Sequence, residues 1–144
     1  MTPHKQLNRH RPEAGEIGDC WRTSIACLLD MHPREVPHFV EHDFEDSATA
    51  TRNLREWLAG IGLGMVEFPF SAPLEEVMPS IHAINPDTYY LLSGNSRNGC
   101  GHSVVACGDK IVWDPSIDDS GIVGPMDDGY YWVMFFVPGK MVKR

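Results

Sequence analysis

The chain has 144 residues, of which 42% are hydrophobic and 22% charged, and its formal net charge is −8 at pH 7. This composition is typical of one globular domain and excludes a disordered or collagen-like chain. The excess of acidic residues argues against a general nucleic-acid-binding protein, because neutralising phosphates requires Lys and Arg. No apolar run approaches the roughly 18 residues of a membrane span, and the polar N-terminus lacks the apolar segment of a secretory signal. We therefore expect a cytoplasmic protein with no nucleic-acid and no membrane partner.

The N-terminal region divides into an arm and a helix. Residues 1–15 are polar and basic and show no hydrophobic periodicity, so we expect an arm there and a single domain over residues 16–144. Asp19 is a candidate N-cap for the first helix, in which apolar residues recur at helical spacing. Pro33 disfavours a helical residue before it and is expected to end that helix.

Two further helices and a strand are predicted before the middle of the chain. An apolar stripe predicts a helix over residues 49–60, and a short strand is expected over residues 65–70. Ser71 is a candidate N-cap for a third, short helix. We expect that helix to be interrupted near Pro79, because proline lacks the N–H that the helix needs.

The pattern changes to that of strands from residue 88 onward. Gly108-Asp109 lies between two apolar runs and is a strong hairpin signal. The predicted strands cover residues 88–93, 102–107, 110–114 and 130–137. Helices followed by an antiparallel sheet predict an α+β domain.

Three residues with complementary chemistry occur in order: Cys20 at a helix start, His102 at a strand start and Asp114 at the end of the next strand. The positive end of a helix dipole favours a thiolate. A neighbouring imidazole favours it further and can protonate a leaving group. A carboxylate on the other ring nitrogen fixes the tautomer and orientation of the imidazole. This order predicts a nucleophile, a general base and acid, and an orienting carboxylate.

The hairpin between His102 and Asp114 tests whether these two side chains meet. A three-residue turn places both on one face of the sheet as diagonal neighbours, within reach of each other. A two-residue turn places Asp114 on the opposite face, unless a bulge intervenes.

The residues around these positions resemble known sequences. Gly-Asp-Cys20-Trp-Arg-Thr-Ser-Ile-Ala-Cys-Leu-Leu resembles the nucleophile helix of papain-like cysteine peptidases, and the Asp-Cys start is also similar to NlpC-type cell-wall endopeptidases. Gly-His102-Ser-Val-Val-Ala-Cys-Gly-Asp-Lys-Ile-Val-Trp-Asp114-Pro resembles the His strand of the double-glycine-leader (bacteriocin-processing) peptidases. The resemblance covers roughly residues 15–39 and 88–115. It implies a papain-like fold, with the nucleophile helix packed against a C-terminal antiparallel sheet, and the catalytic roles given above.

One position departs from the family pattern. The family usually places a Gln six residues before the nucleophile to donate a hydrogen bond to the oxyanion, and here that position is Ala14. The candidate donors are therefore the backbone N–H of Cys20, a backbone N–H of the loop that ends at Asp19, and a displaced Gln6. Loss of one such donor typically lowers the rate by about 10²–10³.

The remaining cysteines and two tryptophans have less specific signals. Cys27 is expected to be structural, while Cys100 could lie near the site as a second reactive thiol, a metal ligand or an ordinary loop residue. Trp21 and Trp113 are most simply core residues, although their positions also make them candidates for lining the substrate cleft beside Cys100. The cysteine spacings are longer than those of structural zinc sites, and no calcium-loop motif is present, so we expect neither metal nor cofactor.

These observations predict a cysteine hydrolase, a thiol peptidase or amidase that acts on a peptide or protein substrate through an acyl-enzyme. Two alternatives stay open on the sequence. One is a weakly active or inactive papain-fold module that binds or inhibits, which the missing upstream Gln favours. The other is a transglutaminase-like acyl transferase, which uses the same triad with an amine acceptor in place of water.

Overall fold

The protein is described by a computed structural model that covers residues 1–42 and 46–143. The α-helices in this part of the chain are α1 (Cys20–Leu28), α2 (Ser47–Gly60) and α3 (Leu74–Ile84). The strands are β1 (Leu63–Phe70), β2 (Tyr89–Asn95), β3 (Gly101–Cys107), β4 (Lys110–Trp113) and β5 (Tyr131–Pro138). The predicted α+β class is confirmed.

The five strands form one antiparallel sheet in the order β1-β5-β2-β3-β4. Helices α1 and α2 cover one face, where Ile25 and Leu54 pack with Leu91 of β2. Helix α3 covers the other face, where Val77 packs with Leu92. Because side chains alternate along a strand, neighbouring residues of β2 supply both cores. The sheet is therefore the shared scaffold on which both helical layers rest.

Helix α1 starts where the sequence predicts but ends earlier. Its last residue is Leu28, and Asp30 has a positive φ of 55°, a backbone conformation that a helix does not continue through. The helix therefore stops before Pro33 acts on it. Asp19 occupies the N-cap position, but its side chain makes no capping hydrogen bond.

Helix α3 corrects two predictions. It runs through Pro79 without interruption, and its N-cap is Pro73 rather than Ser71. The missing proline N–H removes one helical hydrogen bond, but burial of an apolar stripe against the sheet offsets that loss. The stripe consists of Val77, Met78 and Ile81.

The N-terminal arm is fastened to the domain along its length. The carboxylate of Asp19, which is fully buried, accepts hydrogen bonds from the N–H groups of Leu7 (3.3 Å) and Asn8 (2.8 Å). It also pairs with the Nε of Arg22 at 2.9 Å. Instead of capping its own helix, Asp19 therefore holds the arm against the start of α1.

The hairpin between β3 and β4 contains the bulge that the sequence left open. Its turn has two residues, because Cys107 pairs with Lys110 and Ala106 with Ile111. The register then shifts, and Val105 pairs with Trp113. The extra residue moves the end of β4 by one position, which brings the residue after Trp113 to the same side of the sheet as His102.

We expect Asp19→Ala to lower the free energy of unfolding by about 3 kcal/mol, because it leaves two backbone N–H groups and the mostly buried guanidinium of Arg22 without their acceptor. Urea unfolding followed by circular dichroism measures this change. Asp87→Ala, which removes an exposed carboxylate, should change the same free energy by less than about 0.5 kcal/mol. Equal stability of the two variants would contradict the anchoring role of Asp19.

Candidate active site

Cys20 is the first residue of α1, and its thiol is half-buried. The first N–H groups of a helix have no acceptor within the helix, so they present positive charge at this end. Helix α1 is fixed to the sheet by a hydrogen bond of 3.1 Å from the Ser24 hydroxyl to the carbonyl oxygen of Ser103 in β3. This contact joins the element that carries the cysteine to the strand that carries His102.

His102 and Asp114 are directly hydrogen-bonded. The distance from His102 Nε2 to Asp114 Oδ1 is 2.7 Å, and the two side chains are only 5% and 13% exposed. The β-bulge makes this contact possible, since without it the two-residue turn would direct Asp114 to the other face. The bond leaves Nδ1 of His102 as the ring nitrogen available to the thiol.

Asp114 is itself held in one orientation. Its Oδ1 accepts from the N–H of Ser116 at 2.9 Å and its Oδ2 from the N–H of Gly121 at 2.8 Å. The ammonium of Lys5, from the N-terminal arm, donates to the carbonyl oxygens of Asp114 (3.0 Å) and Ser116 (2.7 Å). Together with His102, the N–H groups of Ser116 and Gly121 give the carboxylate three hydrogen-bond donors, so it has little freedom to rotate away from the imidazole.

The charges of the site favour a protonated imidazole. Burial lowers the pKa of His102, but its hydrogen bonds and charge interactions with Asp114 and with the Cys20 thiol outweigh burial, and the pKa rises from 6.5 to about 10. Burial raises the pKa of Asp114, but the hydrogen bonds from His102 and Ser116 outweigh it, and that pKa falls well below its usual range. The arrangement therefore supports an imidazolium between a carboxylate and a thiol.

Cys20 and His102 both line a cavity of about 360 Å³. The arm, the start of α1, the loop before β3 and the loop after β4 form its walls. Its lining residues are Gln6, Arg9, His10, Arg11, Gly18, Cys20, Ser96, Asn98, Cys100, Gly101, His102, Ser116, Ile117, Asp118 and Ser120. A larger and more open depression of about 540 Å³, between Pro37 and Trp57, contains no residue of the predicted triad.

The three oxyanion candidates differ in position. Gln6 and Cys20 line the cavity, whereas Asp19 is completely buried and does not. The amide nitrogen of Gln6 donates to the carbonyl oxygen of Asn8 at 2.5 Å, and a second N–H remains on the same nitrogen. The displaced glutamine considered from the sequence thus lies at the same cavity as the thiol.

Only one of the three residues proposed to line the substrate cleft lies at the cavity. Cys100 lines the cavity, but neither Trp21 nor Trp113 does. Trp21 packs edge-on against Phe39 in the core, with ring centroids 5.9 Å apart. Trp113 instead anchors the arm, because its Nε1 donates to the carbonyl oxygen of His4 at 2.8 Å.

Sequence reasoning missed three supports of Asp114, which come from Ser116, Gly121 and Lys5. The Asp-Pro-Ser sequence was a usable signal for the Ser116 contact, because Asp side chains often accept from the backbone N–H two residues later. Nothing in the aperiodic arm indicated Lys5, whose partners lie more than a hundred residues away.

Comparison with protein-family models, with curated proteins and with solved structures finds no match to this chain. Across residues 1–42 and 46–143, no helix is both long enough and apolar enough to cross a lipid bilayer. The same residues include no group of three or more His, Cys, Asp or Glu side chains placed to hold a metal ion.

We expect the imidazole of His102 to titrate with a pKa of about 10, as measured by NMR of the labelled ring. Asp114→Asn should lower this pKa by more than one unit, because it removes a charge and a strong acceptor while burial remains. A wild-type pKa at or below 6.5 would contradict the geometry described here.

The raised pKa of His102 also makes the free energy of unfolding depend on pH. Because the pKa of His102 is higher in the folded than in the unfolded chain, its protonation stabilises the fold fully below about pH 6.5. That contribution is lost as the pH rises through about 10. The free energy of unfolding should therefore fall more steeply between these values in the wild type than in His102→Gln.

Proposed function

We propose that this protein is a papain-like cysteine hydrolase, a peptidase or amidase that works through an acyl-enzyme on Cys20. The observation that carries the proposal is a series of interactions: Asp114 is hydrogen-bonded to His102, and His102 interacts with the thiol of Cys20. His102 and Cys20 both line a cavity large enough for part of a peptide. The N-terminus of α1 at Cys20 favours a thiolate, and the carboxylate of Asp114 orients the imidazole of His102. Thiol catalysis uses both features.

The proposed acylation step starts from a thiolate on Cys20 and an imidazolium on His102. The thiolate of Cys20 attacks the carbonyl carbon of the substrate, a C–S bond forms, and the carbonyl π electrons move to its oxygen. When the tetrahedral intermediate collapses, Nδ1 of His102 gives its proton to the departing nitrogen and the C–N bond breaks. Asp114 stays ionised and holds the imidazole in place throughout.

Deacylation reverses these roles. The neutral His102 takes a proton from water, the resulting hydroxide attacks the thioester carbon, and the C–S bond breaks to restore the thiolate. The backbone N–H of Cys20 and the side-chain amide of Gln6 are the proposed donors to the oxyanion in both steps. An amine in place of water would give acyl transfer, which product analysis with an added amine distinguishes from hydrolysis.

The papain-like arrangement is part of the proposal. A cysteine at the start of a helix, that helix packed on β3 of an antiparallel sheet, and a histidine at the start of the same strand support it. Most of the side chains that line the cavity are polar or charged, which supports the peptide substrate expected from the sequence.

We expect His102→Ala to slow alkylation of Cys20 by iodoacetamide at pH 7 at least tenfold, because the imidazolium stabilises the reacting thiolate. Peptide mapping by mass spectrometry assigns the label to Cys20 rather than to another thiol. His82→Gln, which changes a half-exposed histidine paired with Asp109 outside the site, is the matched control. Identical rates for wild type and His102→Ala would contradict the proposal.

Turnover is tested with a peptide library made by digesting a proteome. New termini that appear with the wild type and not with Cys20→Ala identify cleaved bonds, and Asp114→Asn should reduce their number by about 10²-fold or more. If Cys20 is alkylated faster in the wild type than in His102→Ala but no peptide bond is cleaved, the result would support the binding module instead of the hydrolase.

Gln6→Ala should lower hydrolysis of a cleaved peptide by about 10²-fold while leaving iodoacetamide alkylation of Cys20 within about twofold of wild type. The reason is that hydrolysis passes through an oxyanion and displacement of iodide does not. Parallel loss of both rates would assign Gln6 a structural role in place of the oxyanion contact.

A further inference from the structure

The ionic groups around the cavity are almost all paired with one another. Arg11 pairs with Glu16 at 2.7 Å, Lys5 with Asp119 at 2.6 Å, and Arg97 with Asp118 at 3.7 Å. Asp19 is paired with Arg22, as described above. The carboxylates near the cavity are therefore already neutralised by neighbouring cations. Glu13, another carboxylate of the arm, does not line the cavity.

Arg9 is the exception among the cavity's arginines. Its side chain lines the cavity, the residue is exposed, and it forms no ion pair with any residue in the described ranges. In a chain with a net charge of −8, an arginine that forms no ion pair within residues 1–42 and 46–143 is unexpected at the cavity that Cys20 also lines. A guanidinium presents a planar fork of N–H donors that matches a carboxylate.

We propose that Arg9 is a specificity-determining residue that binds a carboxylate of the substrate, so that the enzyme prefers a peptide or amide with an acidic group beside the bond it cleaves. The inference rests on the proposed hydrolase function. Asn98 and Ser120 also line the cavity, and they supply neutral polar groups around the same space. The acidic group is either an Asp or Glu side chain or a free C-terminal carboxylate, which share one recognition chemistry.

The first experiment compares two alkylating probes of similar size, iodoacetate, which is anionic, and iodoacetamide, which is neutral. The ratio of their rates at Cys20 in the full chain should fall about threefold in Arg9→Gln and about tenfold in Arg9→Glu, and the falls should shrink in high salt. Arg34→Gln, which changes an exposed arginine outside the cavity, should leave the ratio unchanged. Peptide mapping restricts each rate to Cys20, and circular dichroism verifies that each variant is folded.

The second experiment determines the source of the carboxylate. In the peptide library, cleavage should concentrate at bonds flanked by Asp or Glu, or at bonds next to the C-terminus, and Arg9→Glu should shift the preference toward Lys or Arg. Either acidic enrichment supports the proposal and identifies the ligand's source. Cleavage with no acidic preference, or a probe ratio equal in wild type and Arg9→Glu, would overturn it.

The two proposals fail in different ways. If the hydrolase proposal is wrong, no peptide bond is cleaved, whatever the probe ratio. If only the carboxylate proposal is wrong, cleavage depends on Cys20 and His102 while the probe ratio ignores Arg9.

Discussion

The candidate site depends on one hydrogen bond, the 2.7 Å contact between His102 Nε2 and Asp114 Oδ1. A two-residue turn between β3 and β4 would separate these side chains by placing them on opposite faces of the sheet. The bulge that pairs Val105 with Trp113 restores the contact by adding one residue to β4. With Nε2 bonded to Asp114, Nδ1 is the ring nitrogen left for the interaction with the Cys20 thiol. A single irregularity in an edge hairpin thus decides whether the three residues can act together.

The N-terminal arm joins the two halves of the site. On the Asp114 side, Lys5 bonds the carbonyl oxygens of residues 114 and 116, and the N–H of Gln6 donates to the carbonyl oxygen of Pro115 at 2.8 Å. On the Cys20 side, Leu7 and Asn8 donate to buried Asp19. Four consecutive residues therefore span from the loop that carries Asp114 to the start of helix α1. This bridge also places Gln6 and Arg9 at the cavity, so the arm supplies lining side chains as well as structural contacts.

The sequence predicted the parts of the fold that depend on local patterns. The strands, the hairpin at Gly108-Asp109 and helix α2 follow from hydrophobic periodicity and turn residues. The sequence placed the end of α1 too late, because that end depends on the backbone conformation at Asp30. It also predicted an interruption of α3 at Pro79, which packing against the sheet prevents. Tertiary burial overrides a local proline signal when the apolar stripe on either side continues.

The residues of the candidate site could be predicted from the sequence, but only part of their geometry could. Cys20, His102 and Asp114 were identified by residue type and order, and the sequence reduced their geometry to a choice of turn and bulge. The arm's contacts were not predictable, because hydrogen bonds between aperiodic segments follow from the completed fold and leave no periodic trace. For the same reason, Asp19 was assigned to its own helix although its carboxylate serves the arm.

Trapping of a covalent intermediate tests the proposed acyl-enzyme on Cys20. An activated ester is mixed with the protein, the reaction is quenched with acid, and intact mass and peptide mapping locate the acyl group. We expect a transient acyl adduct on Cys20 that forms at least tenfold more slowly in His102→Ala. An adduct on Cys100 alone, or acylation of Cys20 at the same rate with and without the imidazole, would contradict it.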